Sequence, residues 1–154
     1  MKETFYEITD LPAEGDISVL LFGVGEEMFA INVEQTEGVV DCPRVTPLPG
    51  AQEPFVGVSS IRGRMTVVVD LNRKGAQNGK KQRLILIRGE AQLGLVADRI
   101  EGVLSLTPVR EPARARGLEE ENGESSMESW PAAAYFRSGG RVVPVLDLER
   151  LAEG

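Results

Sequence analysis

Residues 18–40 read SVLLFGVGEEMFAINVEQTEGVV, and residues 82–104 read QRLILIRGEAQLGLVADRIEGVL, the same pattern displaced by 64 positions without a gap. Identities fall at Leu20/Leu84, Gly25/Gly89, Glu26/Glu90 and across Glu37-Gly38-Val39/Glu101-Gly102-Val103. Apolar positions coincide as well, Leu21 with Ile85, Phe22 with Leu86, Phe29 with Leu93 and Ile31 with Leu95. A second match, at a displacement of 77, lays Arg64, Val68, Asp70, Leu71 and Arg73 on Arg141, Val145, Asp147, Leu148 and Arg150. The chain therefore reads as two copies of one unit of about 60 residues, a size too small to bury a generous core alone. The copies are expected to pack on one another through an apolar interface. The second copy carries 13 extra residues between its matched blocks, within 105–140.

Within each copy the apolar residues follow a short-strand pattern punctuated by turn residues, and no sustained 3.6-residue period is present. Strands are expected at 18–24, 28–33, 64–71, 83–88, 93–97, 103–106 and 141–146, with Gly25-Glu26-Glu27 as a hairpin turn. Pro144 lies inside the last of these, which places that strand at an edge or Pro144 at a bulge. The predicted class is all-β with short helical turns.

The whole chain has 154 residues and a formal net charge of −7, with no histidine and one cysteine. Residues 1–16 hold five acids and one base, and residues 119–128 hold five acids and no base. The rest is near neutral, at +2. We expect 1–16 to be an acidic N-terminal tail, 17–151 to be one domain of two intertwined subdomains, and about 117–129 to be an acidic loop. The N-terminus lacks the apolar stretch of a secretory signal, and no uncharged run approaches the length of a membrane helix. The expected location is cytoplasmic.

Without histidine the Ser-His-Asp and Cys-His nucleophilic arrangements are excluded, and the lone Cys42 supports neither an internal disulfide nor a cysteine-rich zinc site. Cys42, beside Pro43, is expected to pack as a small hydrophobe. No metal, cofactor or catalytic residue is expected. Two other function classes were weighed. Asp70 and Asp147 occupy equivalent places in the copies and could share a proton in an aspartate-dependent hydrolase. Leucine follows each, however, and each is better read as the cap of a turn after its strand. A nucleic-acid-binding small barrel would use Lys74, Lys80, Lys81 and Arg83, or Arg110, Arg114 and Arg116, yet no aromatic residues interleave with either cluster. Phe22-Gly23-Val24-Gly25 is only part of a dinucleotide fingerprint and runs into a strand.

The most informative segment is residues 55–64, FVGVSSIRGR. Gly63 permits a tight turn before the next strand, and Arg62 either projects a fixed charge or covers apolar surface with its stem. Composition alone does not decide between them.

Four segments, LLFGVGEEMFAINVEQTEGVV, GVSSIRGRMTVVVDL, LGLVADRIEGVLSL and GGRVVPVLDLERL, together resemble, in order and over roughly 17–151, the CheW-like domain of bacterial chemotaxis coupling proteins. The central segment is similar to the family's Gly-x-x-Asn-Leu-Arg-Gly motif, with Ser60 and Ile61 in place of Asn and Leu. The resemblance implies two pseudo-symmetric, five-stranded SH3-like β-barrels sharing a hydrophobic interface. It also implies a non-catalytic adaptor that couples chemoreceptors to the histidine kinase CheA, or serves a related motility or surface-sensing pathway. The implied partners are the CheA regulatory domain and the cytoplasmic tip of a methyl-accepting chemoreceptor, with recruitment to membrane-associated receptor arrays and no insertion in the membrane. Position by position, the family's contact regions fall on Thr36, Gly38, Val39, Val45, Thr46, Gly57, Arg62 and Gly63.

Overall fold

The computed structural model describes residues 4–72, 81–89, 92–109 and 130–153. Twelve strands are present among them: β1 (Thr4–Ile8), β2 (Ile17–Val24), β3 (Glu27–Asn32), β4 (Thr36–Asp41), β5 (Thr46–Pro47), β6 (Phe55–Ile61), β7 (Arg64–Val69), β8 (Arg83–Ile87), β9 (Gln92–Ala97), β10 (Arg99–Pro108), β11 (Ala132–Ser138) and β12 (Arg141–Leu146). A 3-10 turn at Val33–Gln35 leads into β4, and helix α1 (Leu148–Glu153) follows β12. The all-β class expected from the short apolar runs is therefore observed.

The described residues divide into two compact units, one of 4–21, Met28–Val33 and Gly102–Glu153, the other of Phe22–Glu27 and Glu34–Glu101. The first unit is a closed barrel with strand order β1-β10-β2-β3-β12-β11, and the second a six-stranded sheet in the order β4-β8-β9-β7-β6-β5. Each sheet thus has six strands rather than the five of the family resemblance. The internal repeat maps one order onto the other. Displaced by 64, β2, β3 and β4 fall on β8, β9 and β10; displaced by 77, β6 and β7 fall residue for residue on β11 and β12. Each sheet accordingly takes a hairpin from one copy and three later matched strands from the other, with β1 and β5 as the sixth strands. The match extends to single hydrogen bonds: the Asp70 amide donates to Pro54 O and the Asp147 amide to Pro131 O, both at 3.0 Å.

Side chains that share one face of each sheet gather into that unit's own core. In the first, Val19, Leu21, Ala30, Leu106, Ala134, Phe136, Val143 and Val145 cluster, with Met28 and Tyr6 packed against them. In the second, Ile61, Val68, Leu84, Leu86 and Val96 cluster, with Val40, Cys42 and Val45 alongside. The cysteine is thus half-buried against apolar neighbours, and burial, with Asp70 nearby, pushes its thiol up from the ordinary 9.0.

One expectation is corrected, and one of two alternatives is decided. Residues 4–8 are not part of a free acidic tail: they form β1, which lies antiparallel to β10 and parallel to β11 and completes the barrel. The alternation Phe5, Glu7 against Tyr6, Ile8 is a strand pattern that the surrounding carboxylates obscure. Pro144 does not mark an edge strand, because β12 lies between β11 and β3. Pro144 faces Tyr135 in a non-hydrogen-bonded pair beside the irregular Ala132/Ala134 step, and its nitrogen turns away from β11 toward β3, whose register with β12 is Val145 on Ala30. The expected acidic loop at about 117–129 lies outside the described residues, as do Lys74, Lys80, Arg110, Arg114 and Arg116.

Candidate protein-binding surface

The β6–β7 connection is a two-residue hairpin: Ile61 pairs with Arg64, and Arg62 (φ 54°) and Gly63 (φ 78°) between them are both left-handed. This turn matches the twist of the strands it joins, and it favours Gly, Asn or Asp at its centre. The equivalent β11–β12 turn in the other copy is Gly139-Gly140, with φ 56° and 80°. The same backbone is therefore built once from two glycines and once with an arginine held where L-residues are disfavoured by about 1 kcal/mol or more. Arg62 is the one non-glycine residue with positive φ among the described residues, and it is exposed.

Its guanidinium lies over Gly38: a Cβ at that position would meet Nη2 at 3.6 Å and Nη1 at 3.7 Å. Gly38 itself has φ 155° and follows a bulge between Thr36 and Gly38, at which Glu37 is the extra residue. Around it stand two more arginines. Arg64 reaches Glu37 Oε2 at 3.9 Å and donates to Gly89 O at 3.4 Å; Arg88 donates from its side chain to Thr36 O at 3.4 Å and from its amide to Gln35 O at 2.8 Å. This corner of the second unit thus gathers Arg62, Arg64 and Arg88 around Glu37 and Gly38. Met65, the next residue of β7, is 67% exposed.

A second group surrounds Gly57. Thr46 pairs with Val58 and Pro47 with Gly57. A Cβ on Gly57 would run into Thr46 O and come within 2.8 Å of Val45 Cγ1. Gly57 is therefore buried backbone that lets β5 approach, and Thr46 stands exposed beside it. Thr36, Gly38, Val39, Arg62 and Gly63 come together at one end of the sheet, and Val45, Thr46 and Gly57 form a separate group along β5 and β6. All eight belong to the second unit. Glu37, Arg64, Met65 and Arg88 were not anticipated. The Arg64/Arg141 and Glu37/Glu101 identities in the repeat were the available signals for two of them.

The paired aspartates are engaged locally. Asp147 Oδ1 accepts the Arg150 amide at 3.2 Å and its carbonyl accepts the Leu151 amide at 3.0 Å, a helix N-cap for α1. Asp70 Oδ1 accepts the Asn72 amide at 2.9 Å. Among the described residues no three His, Cys, Asp or Glu side chains gather as metal ligands. Burial, and secondarily the Asp98 carboxylate, holds the Asp70 carboxyl above its ordinary 3.8, while the Asn72 amide opposes the rise. Asp98 in turn accepts the Gly25 amide at 2.6 Å and the Gln82 side chain at 2.8 Å. A carboxyl raised in the fold destabilises it while ionised, and the cost is relieved as pH falls through the raised value towards 3.8. Asp70→Asn, which keeps an acceptor for Asn72, is therefore expected to melt higher than the unaltered chain at pH 8, with the difference closing by about pH 4. Melting curves across that range check it.

A barrel and a matching sheet that present a strained arginine and exposed apolar side chains define an all-β adaptor module. The family comparison agrees, and the chain belongs to the CheW-like domain family, whose model matches residues 18–154. The chemotaxis protein CheW of Thermotoga maritima is 25% identical over 142 residues, covering 90% of this chain and 89% of that protein. CheW of Klebsiella aerogenes is 29% identical over 93 residues, covering 57% and 56%. In fold, the crystal structure of scaffolding protein TtCheW from Thermoanaerobacter tengcongensis matches with a TM-score of 0.61 at 18% identity, over 90% of this chain and 93% of that one. No helix among the described residues is long and apolar enough to cross a membrane.

Proposed function

We propose that this chain is a non-catalytic coupling adaptor that joins chemoreceptors to a CheA-type histidine kinase in the cytoplasm, by contacts alone. The regulatory domain of the kinase and the cytoplasmic tip of the receptor are its partners, and Thr36, Gly38, Val39, Val45, Thr46, Gly57, Arg62 and Gly63 mark where they dock. The observation that carries the reading is Arg62: the fold can make the same turn from Gly139-Gly140, so the arginine is kept for what it presents. An exposed guanidinium beside apolar side chains suits a partner surface that brings a carboxylate to it. The relatives' shared role in chemotaxis supports the choice of partners.

The test is capture of purified CheA regulatory domain and of a chemoreceptor cytoplasmic fragment on the immobilised chain, beside an Arg62→Glu variant. The unaltered chain should retain both, and charge reversal should reduce retention of at least one by tenfold or more. Retention of neither by the unaltered chain contradicts the proposal.

A further inference from the structure

Ser59, Thr66 and Gln92, at 8%, 0% and 3% exposure, are the buried polar side chains among the described residues, and all three belong to the second unit. Each is satisfied. The Gln92 side-chain amide donates to Thr66 Oγ1 at 2.7 Å, Thr66 Oγ1 donates to Arg64 O at 3.4 Å, and Ser59 Oγ donates to Arg44 O at 2.9 Å. Burying such groups in a small core is unfavourable relative to apolar side chains unless every bond is made.

The other unit shows that the fold does not require them. Ser59 and Thr66 sit opposite each other on β6 and β7; the equivalent pair on β11 and β12 is Phe136 and Val143, 0% and 1% exposed. Gln92, first in the β7–β9 ladder, corresponds to Met28, which packs against the barrel core. The same three places are therefore apolar in the unit whose turn is Gly139-Gly140 and polar in the unit whose turn carries Arg62. Their bonds run outward to the candidate surface. The Gln92–Thr66 chain ends on the carbonyl of Arg64, the residue that closes the Arg62-Gly63 turn, and Ser59 holds the carbonyl of Arg44, which precedes Val45 and Thr46.

We infer that Ser59, Thr66 and Gln92 are positioning residues for the docking surface, with Thr66 and Gln92 fixing the turn that presents Arg62 and Ser59 fixing the segment that presents Thr46. The inference rests on the docking reading for its purpose, and on the repeat comparison for its geometry.

The experiment gives the second unit of the full-length chain the residues of the first, as Thr66→Val/Gln92→Met. Removing both side-chain partners of the Gln92–Thr66 bond together leaves neither orphaned, and Arg64 O loses only a long 3.4 Å bond, so the melting temperature should be little changed or raised. Amide hydrogen exchange is then read residue by residue. The amides of Ile61 and Arg64, which pair across the turn, are expected to exchange at least tenfold faster, while Val68, Leu84 and Leu86 stay within twofold, and Thr66→Ser alone, which keeps the hydroxyl, should leave exchange at the turn slow. Binding of purified CheA regulatory domain should weaken at least fivefold, with no further loss when the double change is added to Arg62→Ala. Unchanged exchange at the turn, or acceleration spread evenly over the strands of the second unit, overturns the inference. A failure of the unaltered chain to bind that domain would count against the docking reading, and the exchange data would still decide the positioning role.

Discussion

Gly57→Ala is expected to be the most damaging single-methyl change in the second unit. The added Cβ would collide with the Thr46 carbonyl and sit 2.8 Å from Val45 Cγ1 and 2.9 Å from Thr46 C. Backbone cannot swing aside as a side-chain end can, so β5 must lift from β6, losing the Thr46–Val58 and Pro47–Gly57 pairing. Overpacking of this kind costs typically 1–3 kcal/mol, and contact with main chain places this case near the top of that range. For a protein of this size about 2–3 kcal/mol corresponds to a fall of roughly 5–10 °C in melting temperature. Because Val45 and Thr46 move with β5, partner binding should fall too. The other copy is the internal contrast: its equivalent position is Ala134, 4% exposed, within the barrel core. A Gly57→Ala chain that melts within 2 °C of the unaltered one, by calorimetry, would show that β5 is not held as described.

Arg62→Gly is expected to do the opposite to stability and more to binding. It removes a left-handed L-residue and installs the residue used in the equivalent turn, so strain of about 1–2 kcal/mol is relieved and part of that gain is offset by the greater freedom of glycine when unfolded. The net change should be between zero and about +1 kcal/mol. No hydrogen bond or ion pair to Arg62 is found among the described residues, so none is lost. Binding should nevertheless weaken at least tenfold, or about 1.4 kcal/mol. A gain in stability together with a loss of affinity separates a presenting residue from a structural one. Chemical denaturation and calorimetric titration of the same preparation read both quantities.

The fold was legible in the sequence where the two copies speak with one voice. Residues 141–146 are a strand as expected, residue for residue, and the 64- and 77-residue displacements carry strand onto strand. Strands escaped detection where composition masks alternation. In β4, TEGVVD, a bulged glutamate and a glycine interrupt the period, and in β11, AAAYFRS, alanines mimic a helix. β1 was hidden by the charge that made its segment read as a tail. At the surface, the Arg62-Gly63 turn was readable as a tight connection, but the choice between a projecting charge and an apolar cover was not. That choice depends on φ at Arg62 and on its position over Gly38, and both are set by pairing across β4, β6, β7 and β8. The buried polar layer was likewise beyond the sequence, because Thr66 and Gln92 become neighbours only through the parallel β7–β9 ladder.

The central claim is that the Arg62 corner of the second unit is where a partner docks. Its most direct test is calorimetric titration of purified CheA regulatory domain and of a chemoreceptor cytoplasmic fragment into the unaltered chain and into Arg62→Gly. The account predicts saturable binding to the unaltered chain, weakened at least tenfold for one partner or both by a variant that melts no lower. Equal affinity of the two chains for both partners would contradict it.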